Sequence, residues 1–320
     1  MFNGIINVYK EKGWTSHDVV AKLRSILRQK KIGHTGTLDP DAEGVLPVCL
    51  GNGTKLCGML TDQSKEYRAV MLLGVVTDTE DITGRILSER HADISVQQIE
   101  KAVKSFEGGY WQTPPMYSAI KIGGKKLYEF AREGVEIERA PRHVLIDYIK
   151  IGEICLPRVE FTVGCQKGTY IRSLCRDIGE KLGCGACMES LVRTRVGNNT
   201  LENALSLREI EQSVSTGQFK KIIQPVDTFF SSYPGIIVSG RNESLVRNGN
   251  MFPAENAADA VGEGRLCCWG ACDNPYGADE KDIVRVYLDR GENITVFAGL
   301  YRYDRDNGYY RPFKMFLNGE

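Results

Sequence analysis

Between its first helical stretch and its first strongly apolar run the chain reads Lys31-Ile32-Gly33-His34-Thr35-Gly36-Thr37-Leu38-Asp39-Pro40-Asp41-Ala42-Glu43-Gly44-Val45-Leu46-Pro47-Val48. Gly33 and Gly36 permit unusual backbone geometry and close approach of a ligand. Pro40 stiffens the backbone directly after Asp39. A carboxylate fixed on a rigid loop between a helix and a buried strand is where a nucleophile or general base would be held. Composition alone favours a plainer reading, with Asp39-Pro40 as an ordinary turn that Asp39 caps. Both readings stand on these residues.

The elements that must position this loop follow from periodicity. Gly4 to Val8 reads as a strand. Ser16 is placed to cap a helix whose apolar positions Val19, Val20, Leu23, Ile26 and Leu27 recur at helical spacing. Lys31 to Gly44 is expected to be loop, Val45 to Leu50 a buried strand, 54–60 a short helix and Glu66 to Leu73 a strand. Val96 to Phe106 has the period of an amphipathic helix capped by Ser95. The Gly123-Gly124 turn predicts a hairpin. Val144 to Ile154 and Val159 to Cys165 read as strands, Tyr170 to Leu182 as a helix, 190–197 as a strand and 206–214 as a helix. After Pro225 glycines and prolines punctuate short apolar runs. Val284 to Leu288, Ile294 to Leu300 and Tyr309 to Phe316 read as strands of a small all-β domain. The expected division is 1–230 and 231–320, with the first part able to fold alone. Helices mixed with antiparallel strands predict an α+β first domain rather than a βαβ nucleotide-binding fold.

The 320 residues are 42% hydrophobic and 26% charged, as in ordinary globular proteins. No apolar run is long enough for a membrane span, and the N-terminus lacks the pattern of a secretory signal. The expected location is cytoplasmic. The 10 cysteines then read mainly as small buried hydrophobes. Cys184-x-x-Cys187 and Cys268-x-x-x-Cys272 raise a zinc site, but the pairs fall in different expected domains and no nearby His completes them. No metal is expected. The 41 basic and 41 acidic residues cancel, which argues against coating nucleic acid through bulk charge and leaves room for a locally basic cleft.

The stretch from Gly33 to Pro40, continuing to Gly44-Val45-Leu46-Pro47, closely resembles the signature loop of the TruB family of pseudouridine synthases. The resemblance implies that Asp39 is the catalytic aspartate and that His34 helps to displace a flipped base and hold the distorted RNA loop. Lys10-Glu11-Lys12-Gly13-Trp14-Thr15-Ser16 resembles the family's K-P-x-G-x-T-S motif, with Glu11 in place of Pro. Lys65-Glu66-Tyr67 resembles K-x-Y, which implies that Tyr67 stacks on the target uracil. Thr77-Asp78-Thr79-Glu80-Asp81 followed by Gly84 resembles the T-D-T-x-D-x-x-G turn, and Pro114 to Lys121 with Gly124 to Tyr128 the P-P-x-Y-S-A-x-K and G-x-x-x-Y region. Lys167-Gly168-Thr169-Tyr170-Ile171-Arg172 resembles K-G-T-Y-I-R, which implies that Arg172 pairs with Asp39. Leu191 to Gly197 resembles L-x-R-T-R-V-G, which implies that Leu191 packs beside the base. Cys187 stands where the family commonly has His.

The resemblance covers about residues 3 to 230. It implies a pseudouridine synthase fold, a mixed and mostly antiparallel sheet with flanking helices, followed by a small β-rich PUA-like RNA-binding domain. It implies an isomerase that needs no cofactor and whose partner is the T-arm stem-loop of tRNA, with Lys10, Lys121, Lys125 and Lys126 as candidates for the phosphate backbone. Two alternatives are a tRNA-binding chaperone without catalysis and a ribosomal-RNA pseudouridine synthase.

Overall fold

The structure, a computed structural model, describes residues 1–254, 257–259, 282–291 and 295–317. Its centre is a nine-stranded sheet. Along the main path the strands run Gly4–Lys10, Glu43–Leu50, Ala186–Val196, Lys65–Leu73, Arg158–Cys165, Arg142–Cys155 and Gly108–Gln112. Strand Lys65–Leu73 shows how the sequence builds it: its odd positions are buried and its even ones are more open, the period of a strand with one covered face. Helices Val96–Lys104 and Ile171–Leu182 cover one apolar cluster, around Ala69, Phe161 and Leu174. Helices Ser16–Leu27 and Leu207–Ser215 cover another, around Val8, Leu23 and Leu46. The fold is the expected α+β one.

All pairings in this sheet are antiparallel except that of Glu43–Leu50 with Ala186–Val196. There Arg193 lies opposite Gly44. A Cβ on Gly44 would sit 2.2 Å from the Arg193 carbonyl oxygen, and its φ of +105° is one that glycine adopts freely. Gly44 is thus the residue that lets the strand leaving the Asp39 loop join the sheet.

The structure differs from the sequence expectations at several places. The cap of the first helix is Thr15, not Ser16: the Thr15 hydroxyl accepts from the Asp18 amide, and the Asp18 carboxylate accepts from the Thr15 amide. Ser16 lies one residue inside, and its hydroxyl accepts from the Leu38 amide at 2.9 Å. The expected loop from Lys31 contains a short strand, Ile32–His34, paired with Val48–Leu50. Three residues are too few to display a period. Edge strand Gly108–Gln112 begins with two glycines, which hid it. The expected helix at 54–60 is a 3₁₀ turn, Gly51–Leu56, running into Cys57–Thr61.

The C-terminal part is β-rich, with strands Gly235–Val238, Ile283–Asp289, Thr295–Asp304 and Tyr309–Met315 in a second sheet. It is not all β, because helix Arg241–Arg247 lies in it, too short for its period to be read. An apolar cluster joins the two parts: Ile5 and Cys49 from the first sheet, with Leu56 and Leu60 from the turns after it, meet Phe230, Phe316 and the second sheet's Ile283 and Leu300. Phe230 is 1% exposed and its ring lies 5.7 Å from that of Phe316. Phe230→Ala should therefore destabilise the whole chain by about 3–5 kcal/mol. A change in denaturation midpoint under about 1 kcal/mol would show that the sheets do not share a core.

Candidate active site

Asp39 both opens a turn and points its carboxylate away from it. The Ala42 amide donates to the Asp39 carbonyl at 3.1 Å, closing the turn that composition favours. The side chain does not cap. It forms a two-point ion pair with Arg172, Nε to Oδ2 at 3.0 Å and Nη2 to Oδ1 at 3.2 Å. This fork geometry sets the plane of the carboxylate as well as its position. The Asp39 side chain remains 40% exposed whereas that of Arg172 is 6% exposed. The carboxylate is thus gripped from inside and open from outside.

Arg172 lies in the first turn of helix Ile171–Leu182, and two of its remaining hydrogens fix the guanidinium in place. It donates to the Thr79 carbonyl at 3.0 Å and the Tyr117 carbonyl at 2.9 Å. Asp81 stands 3.8 Å from its Nε. Thr79 and Asp81 belong to a turn that Glu80 makes with a positive φ of 64°. The buried Glu80 carboxylate accepts from Ser173 at 2.6 Å and pairs with Arg176. These bonds tie the strained turn to the helix that carries Arg172.

Two cavities, of about 430 and 340 Å³, meet at the ion pair and share Asp39, Tyr117, Tyr128, Arg172 and Leu191 as walls. The larger is also lined by Tyr67, Ser118 and Tyr170. Burial pushes the Tyr67 phenol up to about 12, against the pull of the neighbouring Arg193 guanidinium. Leu191 is buried on strand Ala186–Val196, in register with Ala69. A still larger cavity of about 880 Å³ borders Tyr117 too, but none of Asp39, Tyr67 and Arg172 lines it.

The structure thus brings together Asp39, Tyr67, Arg172 and Leu191. Lys10 is a correction. Its expected place at a phosphate is ruled out by complete burial, and its ammonium donates to the carbonyls of Glu11 at 3.1 Å, Pro40 at 3.0 Å and Ala42 at 2.6 Å. It braces the turn that carries Asp39. Burial draws its pKa down to about 8, against the charges of Glu43 and Asp39. His34 is half-buried with its ring edge-on to His17, centroids 5.4 Å apart. Burial, then His17 and Arg193, lowers its pKa. Lys121 is exposed, Lys125 pairs with Glu133, and the Lys126 ammonium reaches the Tyr128 hydroxyl at 3.2 Å. Arg193, wholly buried beside Tyr67, is the residue that sequence reading passed over. Its only signal there was a place in the R-T-R stretch, where nothing tells the inward arginine from the outward one.

A family model described as TruB family pseudouridylate synthase (N terminal domain) matches residues 24–171, and one described as tRNA pseudouridylate synthase B C-terminal domain matches 172–231. The chain belongs to the TruB family. A curated relative named tRNA pseudouridine synthase B, from Lachnoclostridium phytofermentans, is 50% identical over 98% of this chain and 100% of its own length. One of the same name from Alkaliphilus oremlandii is 49% identical over 99% of this chain and 100% of its own. Among solved structures, a chain in the crystal structure of a Cbf5-Nop10-Gar1 complex superposes with a TM-score of 0.67 at 29% identity, covering 99% of this chain and 85% of that one. A chain in an H/ACA RNP bound to a substrate RNA containing 2′-deoxyuridine gives 0.65 at 27%, covering 99% and 86%. As a TruB-family member the chain is an enzyme, a pseudouridine synthase.

Among the described residues no cluster of three or more His, Cys, Asp or Glu could hold a metal. Cys184 and Cys187 are buried free thiols, while Cys268 and Cys272 lie outside the described residues. No helix among the described residues is long and apolar enough to cross a membrane.

Removing the Lys10 ammonium should loosen the Asp39 turn. Lys10→Met should lower stability by about 2 kcal/mol, since three carbonyls lose a charged donor, and should lower kcat more than RNA affinity. Lys121→Ala, at an exposed site, should leave stability within about 0.5 kcal/mol. Equal denaturation midpoints for the two variants would refute the brace.

Proposed function

We propose that this pseudouridine synthase converts the T-loop uridine of tRNA, position 55, to pseudouridine, with Asp39 as the catalytic carboxylate acting on a base turned out of its stack. The observation that carries this reading is the Asp39–Arg172 pair, rigid on its inner side and open to a cavity that Tyr67 and Leu191 line. The cavity's size is in the range of small-ligand sites. The name tRNA pseudouridine synthase B, shared by full-length relatives, supports tRNA as the substrate.

The isomerisation breaks the N1–C1′ bond of uridine and makes a C5–C1′ bond. A proton leaves C5 and one is gained at N1, with no change of oxidation state. No redox or phosphoryl cofactor has a part in it. Three routes can start from a held carboxylate: attack on C1′, removal of a sugar proton to form a glycal, or addition to C6 of the ring. Each needs the Asp39 oxygens aimed and water-accessible before RNA arrives, which the Arg172 fork provides.

Tyr67 then offers a face on which the uracil stacks, worth about 1–3 kcal/mol by truncation, with Leu191 at the base's side. His34, on the short strand leading into the Asp39 loop, fills the space left in the opened T loop. Exposure of Lys121 supports a contact with the phosphate backbone. Residues 231–320 serve as a PUA-like RNA-binding domain that holds tRNA away from the reacting base.

Asp39→Asn should abolish single-turnover conversion of unmodified tRNA while RNA affinity changes less than about threefold, under 1 kcal/mol. Conversion near the wild-type rate would sink the assignment. Tyr67→Ala should lose most activity, whereas Tyr67→Phe keeps the stacking face; equal rates for Ala and wild type would remove Tyr67 from the site.

A further inference from the structure

A patch of positive charge lies on the seam between the two parts of the chain. Three segments build it: the turn after helix Ser16–Leu27, the 3₁₀ turn Gly51–Leu56 and the last strand, Tyr309–Met315. Residues 24–33, 51–60 and 309–317 carry seven Lys or Arg and no Asp or Glu. In the whole chain, by contrast, 41 basic and 41 acidic residues cancel. The Lys55 ammonium donates across the seam to the Met315 carbonyl at 2.8 Å. The Lys31 ammonium donates to the Asn52 side-chain oxygen at 3.2 Å, and the Asn52 side-chain nitrogen donates to the Phe316 carbonyl. Asn52 is 5% exposed and so acts as a buried strut between the parts.

Among the described residues neither Lys31, Lys55 nor Lys314 has an ion-pair partner. Burial, then the charges of Lys31 and Lys314, lower the Lys55 pKa. The apolar core that the two parts share therefore presses three like charges together with nothing to offset them. We propose that this seam binds the phosphate backbone of the RNA stem that carries the target loop, with Lys31, Lys55 and Lys314 each set beside a phosphate. The proposal rests on the reading of tRNA as substrate given above.

Position and composition both favour RNA as the occupant. Strand Ile32–His34 leads from Lys31 straight into the Asp39 loop. Eight residues extend at most about 3.6 Å each, which puts Lys31 within about 29 Å of Asp39. A duplex advances about 3 Å per base pair, so a stem leaving the cleft covers that distance in about ten pairs. Phosphate contacts ask for charge and reach rather than the planar geometry that reads base edges, and lysine supplies both. A protein partner would want an apolar centre. Residues 24–33 and 51–60 expose no large apolar side chain.

The test uses the full chain and an unmodified tRNA transcript, with affinity measured over a series of salt concentrations. Each phosphate contact adds roughly 0.7–0.9 to the slope of log affinity against log salt. Lys31→Gln, Lys55→Gln and Lys314→Gln together should lower that slope by about 2 and weaken binding roughly tenfold or more near 0.1 M salt. Single-turnover conversion at saturating enzyme should stay within about twofold of wild type, because none of the three touches the reacting base. Lys101→Gln, exposed on helix Val96–Lys104 and outside the patch, should leave the slope within about 0.3 of wild type. An unchanged slope in the triple variant, as expected if the patch holds an acidic protein instead, overturns the proposal. So does an equal fall in Lys101→Gln. If the triple variant does not fold, Lys314→Glu decides alone, since its side chain makes no hydrogen bond among the described residues: a slope lowered by about 1 supports the patch and an unchanged slope overturns it. Conversion of the T-loop uridine by the wild-type chain is scored in the same samples. Binding without that conversion counts against the functional reading and not against the patch.

Discussion

The carboxylate proposed to act on a sugar or base bound from outside has to be exposed, and an exposed carboxylate on a short side chain is free to turn. The two-point contact from Arg172 resolves this conflict, because it fixes both Asp39 oxygens from within the protein and leaves their outer faces open. Much of the catalytic part can be understood as support for that contact. Helix Ile171–Leu182 sets where the guanidinium begins, and the carbonyls of Thr79 and Tyr117 orient it. Those carbonyls come from segments far apart in sequence, so the pair assembles only when the sheet is complete.

The Asp39 side of the contact is held with equal thoroughness. Its turn is braced by the Lys10 ammonium below, by the Ser16 hydroxyl on the Leu38 amide, and by Arg193 on the carbonyls at either flank. Two of these braces are buried cations, which a protein seeking only stability would replace with apolar groups. Their donors reach the carbonyls of Pro40 and Ala42 within the turn and those of Gly36 and Val45 on either side of it. Loop rigidity is thus obtained at a cost in desolvation, and that rigidity preorganises the carboxylate.

The pairing of Asp39 with Arg172 was legible only through the resemblance of their two motifs to the TruB family, since the residues alone favoured an ordinary turn at Asp39. Ser95 as a cap and a strand at Glu66 to Leu73 were legible from the residues themselves, because cap chemistry and strand patterning are local. What could not be read depends on where the chain goes. Lys10 resembles any surface lysine until the register places it opposite Gly44, where it is fully buried. Arg193 becomes a buried cation only because its strand lies parallel to Glu43–Leu50, across a separation no local pattern encodes. Thr15 and Ser16 are both good caps, and the choice between them turned on the Leu38 amide, which the second hydroxyl was needed to satisfy. Lys10 and Arg193, which hold the Asp39 loop, are distinguished from other cations by contact alone.

The most direct test of the account is to incubate the wild-type chain with an unmodified tRNA transcript and map pseudouridine by chemical derivatisation and primer extension. The account predicts one new stop, at the T-loop uridine, formed without added cofactor. A transcript left unmodified, or modified in another loop while the T loop is untouched, would contradict it.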